Sequence, residues 1–191
     1  MGEKRLLAIL GSPHRDGATA KMLECAVSAA QAAGWSVEKV WLYEKKLAYC
    51  RGCRVCNKTG ECVLKDDDGP ALTASLKSCD AVALAAPCYW ANVPAVVKNF
   101  FDRTVGVAME DVKTIPKPRL SRNQKYLLLT ACGTPAPFDR LGGQSTGVLH
   151  AMREYFKTAG MKPLGSVAFP GTKKRSELPE VVKRKIERYL A

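Results

Sequence analysis

This chain has no apolar run near the ~20 residues that a membrane-spanning helix needs. Its first apolar stretch, residues 6–10, is short and runs straight into Gly11. A secretory leader needs a longer apolar region and a small-residue cleavage site, so the expectation is a soluble cytoplasmic protein. Histidine is almost missing: His14 and His150 are the only two. His150 falls on a stretch with a helical apolar period and is expected to pack, and neither histidine is assigned acid–base work. Aromatics make up 7% of the chain, and none is spaced among the lysines as a stacking surface would be. With no nucleic-acid motif either, nucleic acid is not expected as a partner. Acidic residues are outnumbered 18 to 30 by Lys and Arg, a net charge of +12. The excess concentrates in residues 113–125 and 173–188. It reads as a solvated basic face, or alternatively as a docking surface for an acidic protein. No internal repeat and no linker marks a second domain.

What is present is a globular composition, 47% hydrophobic over 191 residues. That suits a single domain, residues 1–191, with a full core. Residues 6–10 form a continuous apolar run, as a buried parallel strand does. A turn-rich loop, 11–19, leads to an alanine-rich helix over 18–33 that Gly34 stops. A second strand spans 36–42. The run Asp66-Asp67-Asp68-Gly69-Pro70 resembles a metal-binding acidic cluster, but it is more simply the cap of a helix over 70–77. A third strand spans 80–86, and a helix follows over 94–103. Residues 104–122 carry Pro116 and Pro118 and no period, so a surface excursion is expected. A fourth strand at 125–130, a helix at 145–159, a fifth strand at 165–169 and a closing helix at 177–190 complete the chain. Strands alternating with helices predict a parallel sheet covered on both faces. The expected architecture is α/β: a flavodoxin-like three-layer sandwich with strand order 2-1-3-4-5.

Eight cysteines occur, and four are clustered as C-x2-C-x2-C-x5-C: Cys50, Cys53, Cys56 and Cys62, in a loop insertion at about 48–68. Clustered cysteines in a cytosolic chain point to metal or redox chemistry rather than a disulfide framework. Four thiolates in a short loop suit a 4Fe–4S core. Structural zinc is an alternative that four thiolates would suit, but the C-x2-C-x2-C run is cramped for it, because zinc usually takes two pairs separated by a longer spacer. Free thiols or a labile disulfide is the third reading. Arg51, Arg54 and Lys58 would offset cluster charge, or simply be surface residues. Cys25 and Cys79 are expected as small core residues.

In an open α/β sheet, ligands bind beyond the carboxyl ends of the strands. Three loops qualify. The first, G-S-P-H-R-D-G-A-T, runs into a helix start, where backbone amides with the Ser12 and Thr19 hydroxyls make a phosphate cradle. It is neither a Walker loop nor a G-x-G-x-x-G fingerprint. The second, A-P-C-Y-W-A-N-V-P, places Tyr89 and Trp90 where they can cover a flat ring, with Asn92 at the ring edge. Cys88 lies beside them, as packing or near the ring. The third, T-A-C-G-T-P, offers amides around Gly133 and Thr134 that suit the pyrimidine end of a flavin.

The G-S-P-x-x-x-G-x-T loop, the four-cysteine loop followed by V-L-K-D-D, the A-P-x-Y-W segment and K-N-F-F-D-R together resemble the iron–sulfur flavoprotein family, within the NADPH-dependent FMN reductase group of flavodoxin-like proteins. The resemblance is strong over residues 6–103. It implies FMN held by Ser12, His14, Arg15, Gly17, Ala18, Thr19, Pro87, Cys88, Tyr89, Trp90, Asn92, Ala131, Gly133 and Thr134. It also implies a 4Fe–4S cluster on Cys50, Cys53, Cys56 and Cys62, and a homodimer or homotetramer that joins cluster and flavin across subunits. Residues 98–103 would be helix and interface. Relatives carry arginine where His14 stands and asparagine where Ala18 stands, and Arg15 would supply the missing charge.

The expected activity is electron transfer between FMN and the cluster. NAD(P)H or a ferredoxin would be the donor, and oxygen, peroxide, a quinone or another carrier the acceptor. The cofactors carry such chemistry, so no catalytic side chain is assigned. The rivals are a cluster-free NAD(P)H-dependent FMN or quinone reductase, and a sensor that uses the cysteine loop as a metal or redox switch.

Overall fold

The computed structural model describes residues 3–112, 114–174 and 177–190. The basic stretches expected at 113–125 and 173–188 each include residues outside that range. In chain order the elements are β1 (Arg5–Leu10), α1 (Ala18–Ala32), β2 (Ser36–Trp41), α2 (Val55–Thr59), α3 (Gly69–Ser78), β3 (Ala81–Pro87), α4 (Ala95–Arg103), α5 (Val105–Ala108), β4 (Met109–Glu110), β5 (Lys117–Pro118), β6 (Lys125–Cys132), α6 (Phe138–Leu141), α7 (Gln144–Thr158), β7 (Lys162–Pro170) and α8 (Glu180–Glu187).

The main sheet is parallel, in order β2-β1-β3-β6-β7, and flavodoxin-like. Its three central strands are apolar along nearly their whole length because both faces are covered. Period-two alternation then sorts their side chains. Leu7, Ile9, Val82, Leu84, Tyr126 and Leu128 face one layer, against Leu72, Leu76, Phe100, Val148, Met152 and Phe156. Leu6, Ala8, Ala81, Ala83, Ala85 and Leu127 face the other, against Met22, Leu23, Ala26, Val27 and Ile186. The small alanines of β3 let the alanine-rich α1 pack close to the sheet.

The structure corrects the sequence reading in several places. Residues 104–122 are no featureless excursion: they hold α5 and the small antiparallel pair β4-β5. The last strand begins at Lys162, so Pro163 lies inside it. That is tolerated because β7 is an edge strand, and its register slips between Tyr126 and Leu127. A further short helix, α6, follows the third loop. His150 is exposed on α7 rather than packed. Asp68 precedes α3 without capping it: its Oδ2 accepts from the Lys46 amide at 2.6 Å, while Asp67 Oδ1 accepts from Gly69 N at 2.9 Å.

Candidate functional site

The carboxyl ends of β1, β3 and β6 lie side by side where the strand order reverses, and a cleft opens there. It is lined by Ser12, His14, Gly17, Ala18, Thr19, Pro87, Cys88, Tyr89, Ala131 and Gly133, joined by Cys132 and Thr172. Ser12 and Thr19 are buried, and Ser12 Oγ accepts from the His14 amide at 3.2 Å. α1 starts at this cleft with no acidic residue in its first turn and no side-chain cap. Its free N–H groups and dipole therefore favour an anion.

Four expected residues do not line the cleft. Arg15 stacks over the Trp41 ring at 3.8 Å and pairs with Glu44, so its charge is turned to the β2 edge. Trp41 in turn donates from Nε1 to the Ser12 carbonyl at 2.6 Å and fixes the first loop. Trp90 is 98% exposed. Asn92 bends back, its Oδ1 accepting from Val93 N at 2.8 Å. Thr134 uses its carbonyl to accept from Gly171 N at 3.0 Å.

The reason for the Trp90 placement is local. Tyr89 and Asn92 exchange two backbone bonds of 3.0 Å around a two-residue turn, Trp90 at φ 55° and Ala91 at φ 57°. Two consecutive left-handed residues make a type I′ turn, which points the Trp90 side chain to solvent. The turn presses the Ala91 carbonyl onto Gly147 of α7, where any Cβ would collide with it.

Thr172 and Lys173 follow the fifth strand, whose carboxyl end sequence reasoning did not count among the site loops. Thr172 Oγ1 donates to the Cys132 carbonyl at 3.2 Å, and the Lys173 stem lies against Gly133. The signal available was the G-T-K turn at the end of a fifth parallel strand.

The cysteine loop is held by two arginines. Arg103, at the end of α4, is 3% exposed. Its Nη1 donates to the Ala48 carbonyl at 2.6 Å and its Nη2 to the Leu64 carbonyl at 3.0 Å, so it joins the two ends of the loop. Asp67 accepts from both Nη1 and Nη2, while Nε is buried without a partner among the described residues, and the bond from Arg103 first of all holds the Asp67 carboxyl down to about 2. Arg119 holds the middle, its Nη1 donating to the carbonyls of Cys56 and Gly106, each at 2.9 Å, and its Nη2 to that of Asn57 at 2.6 Å. Gly106 admits this packing, because a Cβ there would sit 2.7 Å from Cys56 Cβ. The loop itself coils through Gly52, Arg54 and Gly60, all at positive φ. Arg54, expected to offset cluster charge, is engaged by Asp111 at 3.0 Å. Within residues 98–103, Asn99, Phe100, Phe101 and Arg103 turn inward, Asn99 donating to the Leu47 carbonyl at 2.9 Å, while Lys98 and Asp102 pair on the outer face.

Among the described residues none of the four loop cysteines is in a disulfide: Cys50 and Cys53 are exposed, Cys56 and Cys62 half-buried. Among the described residues, no three His, Cys, Asp or Glu side chains converge on one point as metal ligands. Burial raises the Cys56 thiol above its ordinary value, and Cys62, Cys50 and Cys53 raise it further. A set of thiols that repel each other once ionised is chemically matched to a cationic centre, which would relieve that repulsion.

The sequence profile described as flavodoxin-like fold matches residues 4–191. An iron-sulfur flavoprotein of Archaeoglobus fulgidus is 43% identical over 99 residues, 52% of this chain and 44% of that protein. One of Methanosarcina thermophila is 31% identical over 101 residues, 53% of this chain and 52% of that protein. The chain thus spans about half the length of the curated relatives it matches. Among solved structures, a Bacillus anthracis azoreductase superposes with TM-score 0.74 at 16% identity, covering 98% of this chain and 97% of that one. An NAD(P)H:quinone oxidoreductase of Methanothermobacter marburgensis superposes with TM-score 0.71 at 19% identity, covering 98% and 95%. At such identities these two carry the fold alone. The strand order, the core and the profile match agree, and the chain belongs to the flavodoxin-like fold family.

Proposed function

We propose that this chain is an FMN-binding oxidoreductase that moves electrons between the strand-tip cleft and a 4Fe–4S cluster on Cys50, Cys53, Cys56 and Cys62. The observation that carries this reading is the convergence of three separate loops, through Ser12, Thr19, Tyr89 and Gly133 among others, on one cleft at the start of α1. Bound there, FMN supplies two-electron exchange with a donor, and a four-thiolate cluster supplies one-electron exchange. The α1 amides with Ser12 and Thr19 would hold the phosphate, Tyr89 would lie against the ring, and the amides near Gly133 would face its polar edge. Arg103 and Arg119 would hold the cysteine loop in shape. The iron-sulfur flavoproteins to which the chain is similar support this reading by their names.

A homo-oligomer fits the exposed apolar residues on the loops that frame the cleft, Tyr89 and Trp90, and on the adjoining α6, Phe138 and Leu141. NAD(P)H or an acidic ferredoxin is the donor class that the basic surface favours. The test is a visible spectrum of protein purified without oxygen, with iron, sulfide and FMN assayed on the same sample and mass measured by sedimentation. The reading expects flavin bands over a broad absorbance and about four irons per chain. Replacing Cys53 with Ala should remove the iron and leave FMN bound. Flavin without iron would instead establish a cluster-free reductase, which the solvent exposure of Cys50 and Cys53 favours as the second reading. Neither chromophore would sink both.

A further inference from the structure

We propose that Cys88 and Cys132 form a reversible dithiol–disulfide pair on the inner wall of the cleft, a thiol-exchange site distinct from the cysteine loop. The Cys88 amide donates to the Ala131 carbonyl at 3.0 Å, one residue beyond the last paired position of β3 and β6, Pro87 with Ala131. Cys88 therefore stands beside Cys132 on neighbouring parallel strands. Such neighbours lie ~4.8 Å apart, inside the ~4.4–6.8 Å Cα window of a disulfide. Alternation places both on one face. Val82, Leu84 and Ala86 step toward Cys88, Tyr126 and Leu128 step toward Cys132, and all of these belong to the same core layer. Both cysteines line the cleft.

Neither sulfur is committed elsewhere by a strong bond. Cys88 Sγ donates to the Gln144 carbonyl at 3.3 Å and Cys132 Sγ to the Thr134 carbonyl at 3.5 Å, both weak thiol contacts. Burial, then Asp139, then Cys88 push the Cys132 thiol up to about 11, and burial raises Cys88 as well. Both are therefore held as thiols at neutral pH and react slowly.

The oxidant class is a small disulfide. One protein thiol loses its proton to solvent and attacks a sulfur of the small disulfide, releasing one small thiol and leaving a mixed disulfide. The second protein thiol, likewise deprotonated, attacks the protein sulfur of that mixed disulfide and releases the second small thiol. The two cysteines lose two electrons and two protons, and the small disulfide gains them. A bridge between adjacent strands is geometrically constrained and so easily reduced. Its state would set the shape of the wall between the second and third loops. This inference stands on strand register and does not require a flavin.

The full chain is incubated with oxidised glutathione, its remaining thiols are alkylated, and it is digested with trypsin. The expected product is a cross-link between peptides 78–98 and 126–140, two hydrogens lighter than their sum and assigned by fragmentation to Cys88 rather than Cys79. It should form slowly at neutral pH and faster as pH rises, as raised thiols require. It should vanish with dithiothreitol and be missing in both Cys88→Ser and Cys132→Ser. If the two peptides emerge only separately alkylated or separately glutathionylated, or joined to residues 50–62, the proposal is wrong. The wild-type map decides this even if a serine variant fails to fold.

Discussion

Arg103 and Asp67 meet in a two-bond fork, Nη1 to Oδ2 at 2.6 Å and Nη2 to Oδ1 at 3.0 Å, with the arginine side chain wholly buried. The same guanidinium reaches carbonyls on both flanks of the cysteine loop, and Asp67 Oδ2 accepts from the Ala48 amide at 2.9 Å. The pair is thus the clasp that closes the loop.

Removing one partner of a buried pair strands the other. Arg103→Met should cost about 3–5 kcal/mol in denaturant unfolding. It should also open residues 48–64 to limited proteolysis before the rest of the chain. Arg103→Lys keeps the charge but loses the fork, so it should retain part of the stability and still loosen the loop. Equal protease resistance in wild type and Arg103→Met would remove the clasp from the account.

The same pair sets an acid dependence. Asp67 is depressed to about 2 in the folded state, against ~3.9 for an unperturbed aspartate. Its stabilisation is therefore present above pH ~4 and lost as pH falls through ~2, a contribution of about 2–3 kcal/mol. The stability gap between wild type and Asp67→Asn should be full at pH 5 and shrink steadily between pH 4 and 2. A gap unchanged over that window would refute the linkage.

Trp90 and Ala91 hold left-handed backbone conformations that cost ordinary residues about 1–2 kcal/mol each. Ala91→Gly should therefore stabilise the chain by roughly 1 kcal/mol, seen as a higher denaturation midpoint at unchanged slope. Gly147→Ala should do the opposite, costing about 1–3 kcal/mol because its methyl meets the Ala91 carbonyl.

The first turn of α1 carries no acidic residue. Ala18→Asp would complement the helix dipole and should raise the stability of flavin-free protein by about 0.3–1 kcal/mol. The same carboxylate would stand where the phosphate is expected, so FMN affinity in a fluorescence titration should fall by at least tenfold, about 1.4 kcal/mol. Unchanged FMN affinity would move the phosphate away from this helix.

Much of the architecture was legible in the chain. Residues 6–10, 80–86 and 125–130 read as strands because central parallel strands are apolar without interruption. The helix that Gly34 ends read as such because its alanine-rich run carries an apolar period near 3.6. The pieces that did not read were short or flanked by proline. A four-residue helix at 105–108 and two-residue strands at 109–110 and 117–118 are too brief to show a period. Pro163 concealed the start of an edge strand that can accommodate it.

Of the cleft, sequence specified which loops arrive at the strand tips, because strand order and chain direction place them there. It also showed the four clustered cysteines, a pattern that depends only on residue type and spacing. Tertiary structure alone decided which side chains within those loops face inward. Trp90 points to solvent because a positive-φ turn against Gly147 directs it so, and Arg15 leaves the cleft for Trp41 and Glu44. It also decided that Arg103, expected in a helix and interface segment, is buried as the clasp of the loop. Its partners lie 36, 39 and 55 positions away in the chain, and no local pattern carries contacts of that separation, since only packing brings them together.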